Sequence, residues 1–186
     1  MSLRMPLIVW GVAAGCALLL LALIFAAPSA LSHRHPLIGS AIYQIFRPFC
    51  HQIPARSFYF EGHPLAVCAR CSGLYIGFAV GALLYPLVRS LRRSDAPARA
   101  WLIAAALPTA TDFALGFSGI WANTHLSRSV TGALLGAVVA FFVVPGLVDA
   151  SRINWRQFFA SRVPLERNGV PAIVYERTGE RAAPSD

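Results

Sequence analysis

Three of the chain's four cysteines fall within one stretch, Phe49 to Cys71, which reads FCHQIPARSFYFEGHPLAVCARC. Cys68 and Cys71 form a Cys-x-x-Cys pair, and Cys50 has His51 beside it. Thiolate and imidazole are the usual ligands of zinc, and three cysteines with one histidine are a common structural zinc set. Iron and copper also accept such donors. Cys50, His51, Cys68 and Cys71 are therefore the expected ligands, with His63, five residues before Cys68, as an alternative imidazole. A Cys-x-x-Cys pair equally suits thiol–disulfide chemistry, and a helix N-terminus at that point favours the thiolate either chemistry needs. The cysteine count separates the two, because a disulfide leaves one of the three thiols unpaired whereas ligation uses all of them.

The elements that must hold these residues are apolar. Of 186 residues, 56% are hydrophobic and only 13% charged, about half the charged share of a typical soluble domain. Four runs approach or exceed the roughly 20 residues needed to span a bilayer: about 6–27, 65–88, 100–117 and 129–148. The expected fold class is thus all-α, an integral membrane four-helix bundle over residues 1–150, with an outer loop carrying the Cys/His site. Residues 151–186 are expected to form a cytoplasmic interfacial segment and tail. The first run is longer than a signal-peptide core and is read as a retained helix. Glycines recur at four-residue spacing: Gly11 and Gly15; Gly73, Gly77 and Gly81; Gly132 and Gly136. Such faces let helix backbones approach closely, within the bundle or in a homo-oligomer. Cys16, in the first run, reads as a small buried hydrophobe. Between the first two runs, Leu37 to Phe46 is expected to form a short interfacial helix stopped by Pro48.

The net charge of +8 comes from sixteen basic residues, all arginine. They lie mostly between and after the apolar runs, which fits a charge-oriented membrane protein and not a nucleic-acid binder. With the N-terminus inside, eleven arginines face the cytoplasm and four (Arg34, Arg47, Arg56, Arg128) face out. The expected location is therefore the cell (inner) membrane, multi-pass, with both termini cytoplasmic and the cysteines outside. The lipid bilayer is the expected partner. After the fourth run, Ile153, Trp155, Phe158, Phe159 and Val163 alternate with Arg152, Arg156 and Arg162, a mixture suited to an anionic lipid surface.

Asp112 sits inside the third run, where an acid is costly and marks a functional or pairing position. Arg70, between the two cysteines, and Arg128, at the start of the fourth run, are the expected partners. Asn123 and His125 lie in the second outer loop and complete a polar cluster around the cysteines, able to add a ligand or a hydrogen bond.

With CHQIPARSF and CARCSGLYIG both in view, the sequence resembles a family of prokaryotic integral membrane proteins, domain of unknown function 2085. The resemblance rests on Cys50, His51, Arg56, Ser57, Phe58, Cys68, Arg70, Cys71 and Gly73, and on Asp112, Arg128, Thr131 and Gly132. The family pattern has Gly after the Asp, where this chain has Phe113. The resemblance implies membership and a membrane fold, and no activity. An outward Cys-x-x-Cys opening the second helix also looks like the quinone-linked disulfide-generating reductases of bacterial inner membranes, which implies a thiol–disulfide oxidoreductase with quinone as cofactor. Those proteins carry a second cysteine pair in the other outer loop, which here reads SGIWANTHLS and has none. A third expectation is a structural or accessory subunit whose cysteine site only staples a loop to the bundle.

Overall fold

The structure, a computed structural model, describes residues 4–91 and 95–152. In chain order it comprises helix α1 (Arg4–Ser32), helix α2 (Pro36–Phe46), a single 3-10 turn (Pro54–Arg56), a hairpin of β1 (Tyr59–Phe60) and β2 (His63–Pro64), then α3 (Ala69–Val88), α4 (Arg99–Phe117) and α5 (His125–Ala150). Helices α1, α3, α4 and α5 are each long and apolar enough to cross a membrane. The fold is all-α apart from the antiparallel hairpin, in which Phe60 pairs with His63. The chain divides after Ser151, and the second unit, Arg152–Asp186, lies outside the described residues except for Arg152. The expected aromatic and basic surface segment falls there.

The helices α3 and α5 form the centre, and the glycine spacing explains why. A Cβ added at Gly77 would lie 2.0 Å from the carbonyl oxygen of Ala133, and one at Gly136 would lie 2.1 Å from that of Leu74. Gly73, Gly81 and Gly132 abut the facing backbone in the same way. The two helices therefore meet main chain to main chain, the approach that small residues allow where lipid supplies no hydrophobic drive. Gly11 and Gly15 do something else. Nothing lies within 4 Å of a Cβ built at either, because α1 packs through a different face, that of Ala14, Ala17, Ile24 and Ala27. The same rotation turns Cys16 to the exposed side of α1, not into the core as its type suggested.

Beyond its first turn, each long helix carries one proline: Pro28, Pro86, Pro108 and Pro145. A proline gives no N–H to the carbonyl four residues earlier, and in lipid an unpaired carbonyl costs several kcal/mol. Pro86 frees the Ala82 carbonyl of α3, and the indole N–H of Trp10 on α1 donates to it at 2.7 Å. Pro28 frees the Ile24 carbonyl of α1, and the backbone N–H of Ala66 reaches it over a long 3.5 Å. This is why α1 runs through Pro28 to Ser32, whereas the sequence placed the loop at that proline.

Helix α4 is peripheral. None of its residues is buried; it rests on α5, where the Thr109 hydroxyl donates to the Thr131 carbonyl at 2.9 Å. Helix α2 folds back beside the end of α1. Its Phe46 and Ile42 join Ile24 and Ala27 of α1 and the extended stretch Leu65–Val67 in one buried cluster that also holds Cys50.

Candidate metal centre

The thiols come from two places. Cys50 follows α2 directly, and its backbone N–H is held by the Phe46 carbonyl at 3.0 Å. Cys68 is the N-cap of α3, and Cys71 lies in its first turn. The helix begins at Ala69, four residues inside the apolar run of about 65–88. Leu65, Ala66 and Val67 are buried and pinned to α1, and this delivers Cys68 to the position facing Cys50. The three sulfur atoms lie within 4.8 Å of one another. Cys50 is buried, and Cys68 and Cys71 are partly open.

Two backbone N–H groups point at the Cys50 sulfur, from Cys68 at 3.2 Å and from Gln52 at 3.5 Å. N–H donors of this kind suit a sulfur that carries negative charge. The Gln52 bond needs an unusual backbone, with φ of 52° in the left-handed region. That conformation is secured by the Gln52 side chain, whose amide donates to the carbonyls of Tyr43 at 2.7 Å and Ala66 at 2.8 Å. One side chain thus ties the end of α2 to the approach to α3. The Tyr43 hydroxyl donates to the Pro64 carbonyl and reinforces the same tie. Hydrogen bonds from Cys50 and Cys71 hold the Cys68 thiol well below the ordinary thiol range, and the backbone N–H groups opening α3 act in the same direction.

The expected imidazoles stand apart from the thiols. His51 is exposed and is not part of the three-sulfur set. It follows a residue whose side chain turns inward, and neighbours in an extended chain point to opposite sides. It does line the cavity onto which the thiols open, of about 570 Å³. His63 sits in β2, paired with Phe60. His125 packs against the Phe58 ring at 5.6 Å, with its Nε2 3.2 Å from the Ala55 carbonyl oxygen. It braces the loop and makes no approach to the sulfurs.

Asp112 is paired with Arg70, not with Arg128. Its carboxylate also accepts from the Ser127 hydroxyl at 3.0 Å, and the Asn123 amide donates to its backbone carbonyl. The Arg70 guanidinium lies 5.7 Å from the centre of the Phe113 ring, so Phe113 supplies a cation–π face. Arg128 and Arg56 are found on the wall of the thiol cavity. Gln52 and Ser127 were not anticipated from sequence. Their importance comes from contacts over 9 and 15 residues, which no local motif marks.

The model of the family described as predicted membrane protein (DUF2085) matches residues 50–142, from the first clustered cysteine into α5. An uncharacterized protein of Methanocaldococcus jannaschii is 37% identical over 108 residues, covering 58% of this chain and 69% of its own length. An uncharacterized protein of Methanothermobacter thermautotrophicus is 33% identical over 95 residues, covering 51% and 84% respectively. No solved structure matches the chain.

Proposed function

The chain belongs to the DUF2085 family of membrane proteins, and from that premise we propose that it is a metal-binding membrane protein whose site is formed by Cys50, Cys68 and Cys71. One observation carries the reading: three sulfur atoms from two separate segments converge to within 4.8 Å. Zinc–thiolate bonds of about 2.3 Å in tetrahedral geometry place sulfurs roughly 3.8 Å apart, so binding requires only a small contraction. Zinc fits the donor set best, and iron or copper would also accept it. Three thiolates leave a fourth position, which opens on the cavity. His51, exposed on the rim of that cavity, closes it in a structural site; a water or a substrate atom occupies it in a reactive one.

The arginine distribution supports placing the site outside the cell membrane with both termini in the cytoplasm. Of the glycine faces offered by sequence, that of Gly11 and Gly15 is open to a second copy, since the glycines of α3 and α5 are used against each other.

The test is elemental analysis of detergent-purified protein with free-thiol counting on the same sample. About one metal ion per chain, lost in both Cys50→Ser and Cys68→Ser, supports the site. Absence of metal with only one reactive thiol among the three would instead mean a disulfide. That result would transfer the proposal to thiol–disulfide exchange, for which the closeness of the same sulfurs is the supporting observation and a quinone the expected electron acceptor. Metal in stoichiometric amount with no turnover would fit the purely structural subunit, in which the ion fastens the 50–68 loop to α3.

A further inference from the structure

The cavity beside the thiols holds more positive charge than its surroundings neutralise. Arg56, Arg70 and Arg128 all line it. Arg70 is answered by Asp112. On the cysteine side of the described residues the other acid is Glu61, which is engaged by Ser32 and His33. Among the described residues the ion pairs are His33–Glu61, Arg70–Asp112 and Arg89–Asp95, so Arg56 and Arg128 have no acid. Three neutral thiols leave the cavity with two unmatched positive charges. Three thiolates around a divalent ion carry a net negative charge of one, and then one positive charge remains. On either count an anion is the complementary ligand, and a monoanion neutralises the metal-loaded site in full.

The remaining wall narrows the class. Phe49, Phe113 and Phe117 also line the cavity, and they are 75%, 56% and 85% exposed. Phe113 and Phe117 stack on one another along the last turns of α4, with ring centres 6.0 Å apart. A hydrated inorganic anion gains nothing from such a wall, whereas an amphiphile with a charged head and an apolar body matches both halves. The cavity also sits where α4 ends and α3 and α5 begin, the depth at which a membrane-spanning bundle meets the lipid headgroups. Guanidinium forks suit phosphate oxygens, and basic pockets among membrane helices take anionic headgroups.

We propose that this cavity is a binding site for an anionic phospholipid, with Arg56 and Arg128 holding the phosphodiester and the acyl region lying along Phe113 and Phe117. The site does not depend on metal at the thiols.

The experiment titrates purified full-length protein, in a non-ionic detergent, with phosphatidylglycerol, phosphatidylcholine or inorganic phosphate, and follows the melting temperature. A ligand that binds the folded state raises that temperature in a saturable way. Phosphatidylglycerol is expected to do so, and the other two are not. Arg56→Gln and Arg128→Gln are each expected to weaken binding roughly fivefold, and the double variant by more than tenfold. Arg56 is an exposed loop residue, so its variant keeps the lipid-free melting temperature and remains a fair test if Arg128→Gln fails to fold. Cys68→Ser is expected to lose metal and keep the lipid response, which separates this proposal from the metal reading. An equal shift with phosphatidylcholine, or undiminished phosphatidylglycerol binding by a folded Arg56→Gln variant, overturns it. An equal shift with inorganic phosphate overturns the lipid assignment and leaves a small-oxyanion site.

Discussion

The bond between the Trp10 indole and the Ala82 carbonyl offers a sharp test of how this bundle holds together. Pro86 gives no N–H to that carbonyl, and the 2.7 Å bond from Trp10 supplies one from a neighbouring helix. In Trp10→Phe the ring body stays and the donor goes. The cost has two parts: some packing, and an orphaned carbonyl in a medium without water. Hydrogen bonds between membrane helices average about 0.6 kcal/mol and reach about 1.7 kcal/mol. Because the alternative donor is structurally absent here, a value near the upper limit, about 1.5 kcal/mol, is expected. Pro86→Ala restores the missing N–H to α3, so in that background Trp10→Phe should cost only its packing part, about 0.5 kcal/mol. The coupling energy of the double-mutant cycle is then about 1 kcal/mol. It can be read from reversible unfolding in mixed detergent micelles, monitored by circular dichroism. If Trp10→Phe costs the same with proline and with alanine at position 86, proline orphaning is not what makes that bond matter, and the reasoning fails.

Three further outcomes follow from the same geometry. Gly77→Ala drives a Cβ to 2.0 Å from the Ala133 carbonyl oxygen, and since the obstacle is backbone the helices must separate; a loss of about 3 kcal/mol, at the upper range for overpacking, is expected, whereas Gly15→Ala, with nothing within 4 Å, should leave the melting temperature unchanged. Asp112→Asn leaves the Arg70 guanidinium without its carboxylate, and because the aspartate side chain is only 10% exposed a loss of about 2–3 kcal/mol is expected, somewhat below the fully buried case; unchanged thermal stability with intact metal content would sink the pairing. Glu61 has its pKa lowered chiefly by the Ser32 hydroxyl, so the tie it makes between the hairpin and the end of α1 is complete above its ordinary value of 4.5 and is lost as pH falls through the lower folded value. Amide exchange at residues 59–64 should therefore rise below that pH in the native protein and show no such step in Glu61→Gln.

Much of this architecture was legible in composition and spacing. Long apolar runs announce four membrane helices because lipid leaves the backbone few alternatives, and the glycine spacing announces the α3–α5 seam because only hydrogen side chains fit between touching backbones. The same spacing misled at Gly11 and Gly15, for spacing identifies a face without saying which way it turns; α1 is rotated so that its alanines meet the bundle. The thiols were readable as a group from residue type. The place of His51 was not, since adjacent residues in a loop diverge and sequence does not tell which of the two turns inward. The Arg70–Asp112 pair spans 42 residues and was one of two options between which residue spacing does not choose. Gln52 gave no signal at all, because its role lies in two carbonyls brought together by the fold.

The prolines connect these observations to the site. Ile24 and Ala66 are both essentially inaccessible to solvent, so the carbonyl freed by Pro28 and the N–H of Ala66 each lack water and have each other. Ala66 stands two residues before Cys68, and its own carbonyl accepts from Gln52, two residues after Cys50. A defect in α1 thus fixes one strand of a short relay, Ile24 to Ala66 to Gln52, that sets the two cysteine-bearing segments side by side. Trp10 at the other end of α1 uses the corresponding defect in α3, and the two ends together fix how far α1 can slide along its neighbour. On this view Pro28 and Pro86 are docking points and not flaws, and the closeness of the three sulfurs is a consequence of where α1 is interrupted. Replacing Pro28 with alanine would return the Ile24 carbonyl to its own helix, release Ala66, and loosen the thiol cluster without touching a cysteine. Metal affinity should then fall while the α3–α5 seam, and with it most of the thermal stability, is retained. Metal content equal to wild type in Pro28→Ala would break the relay.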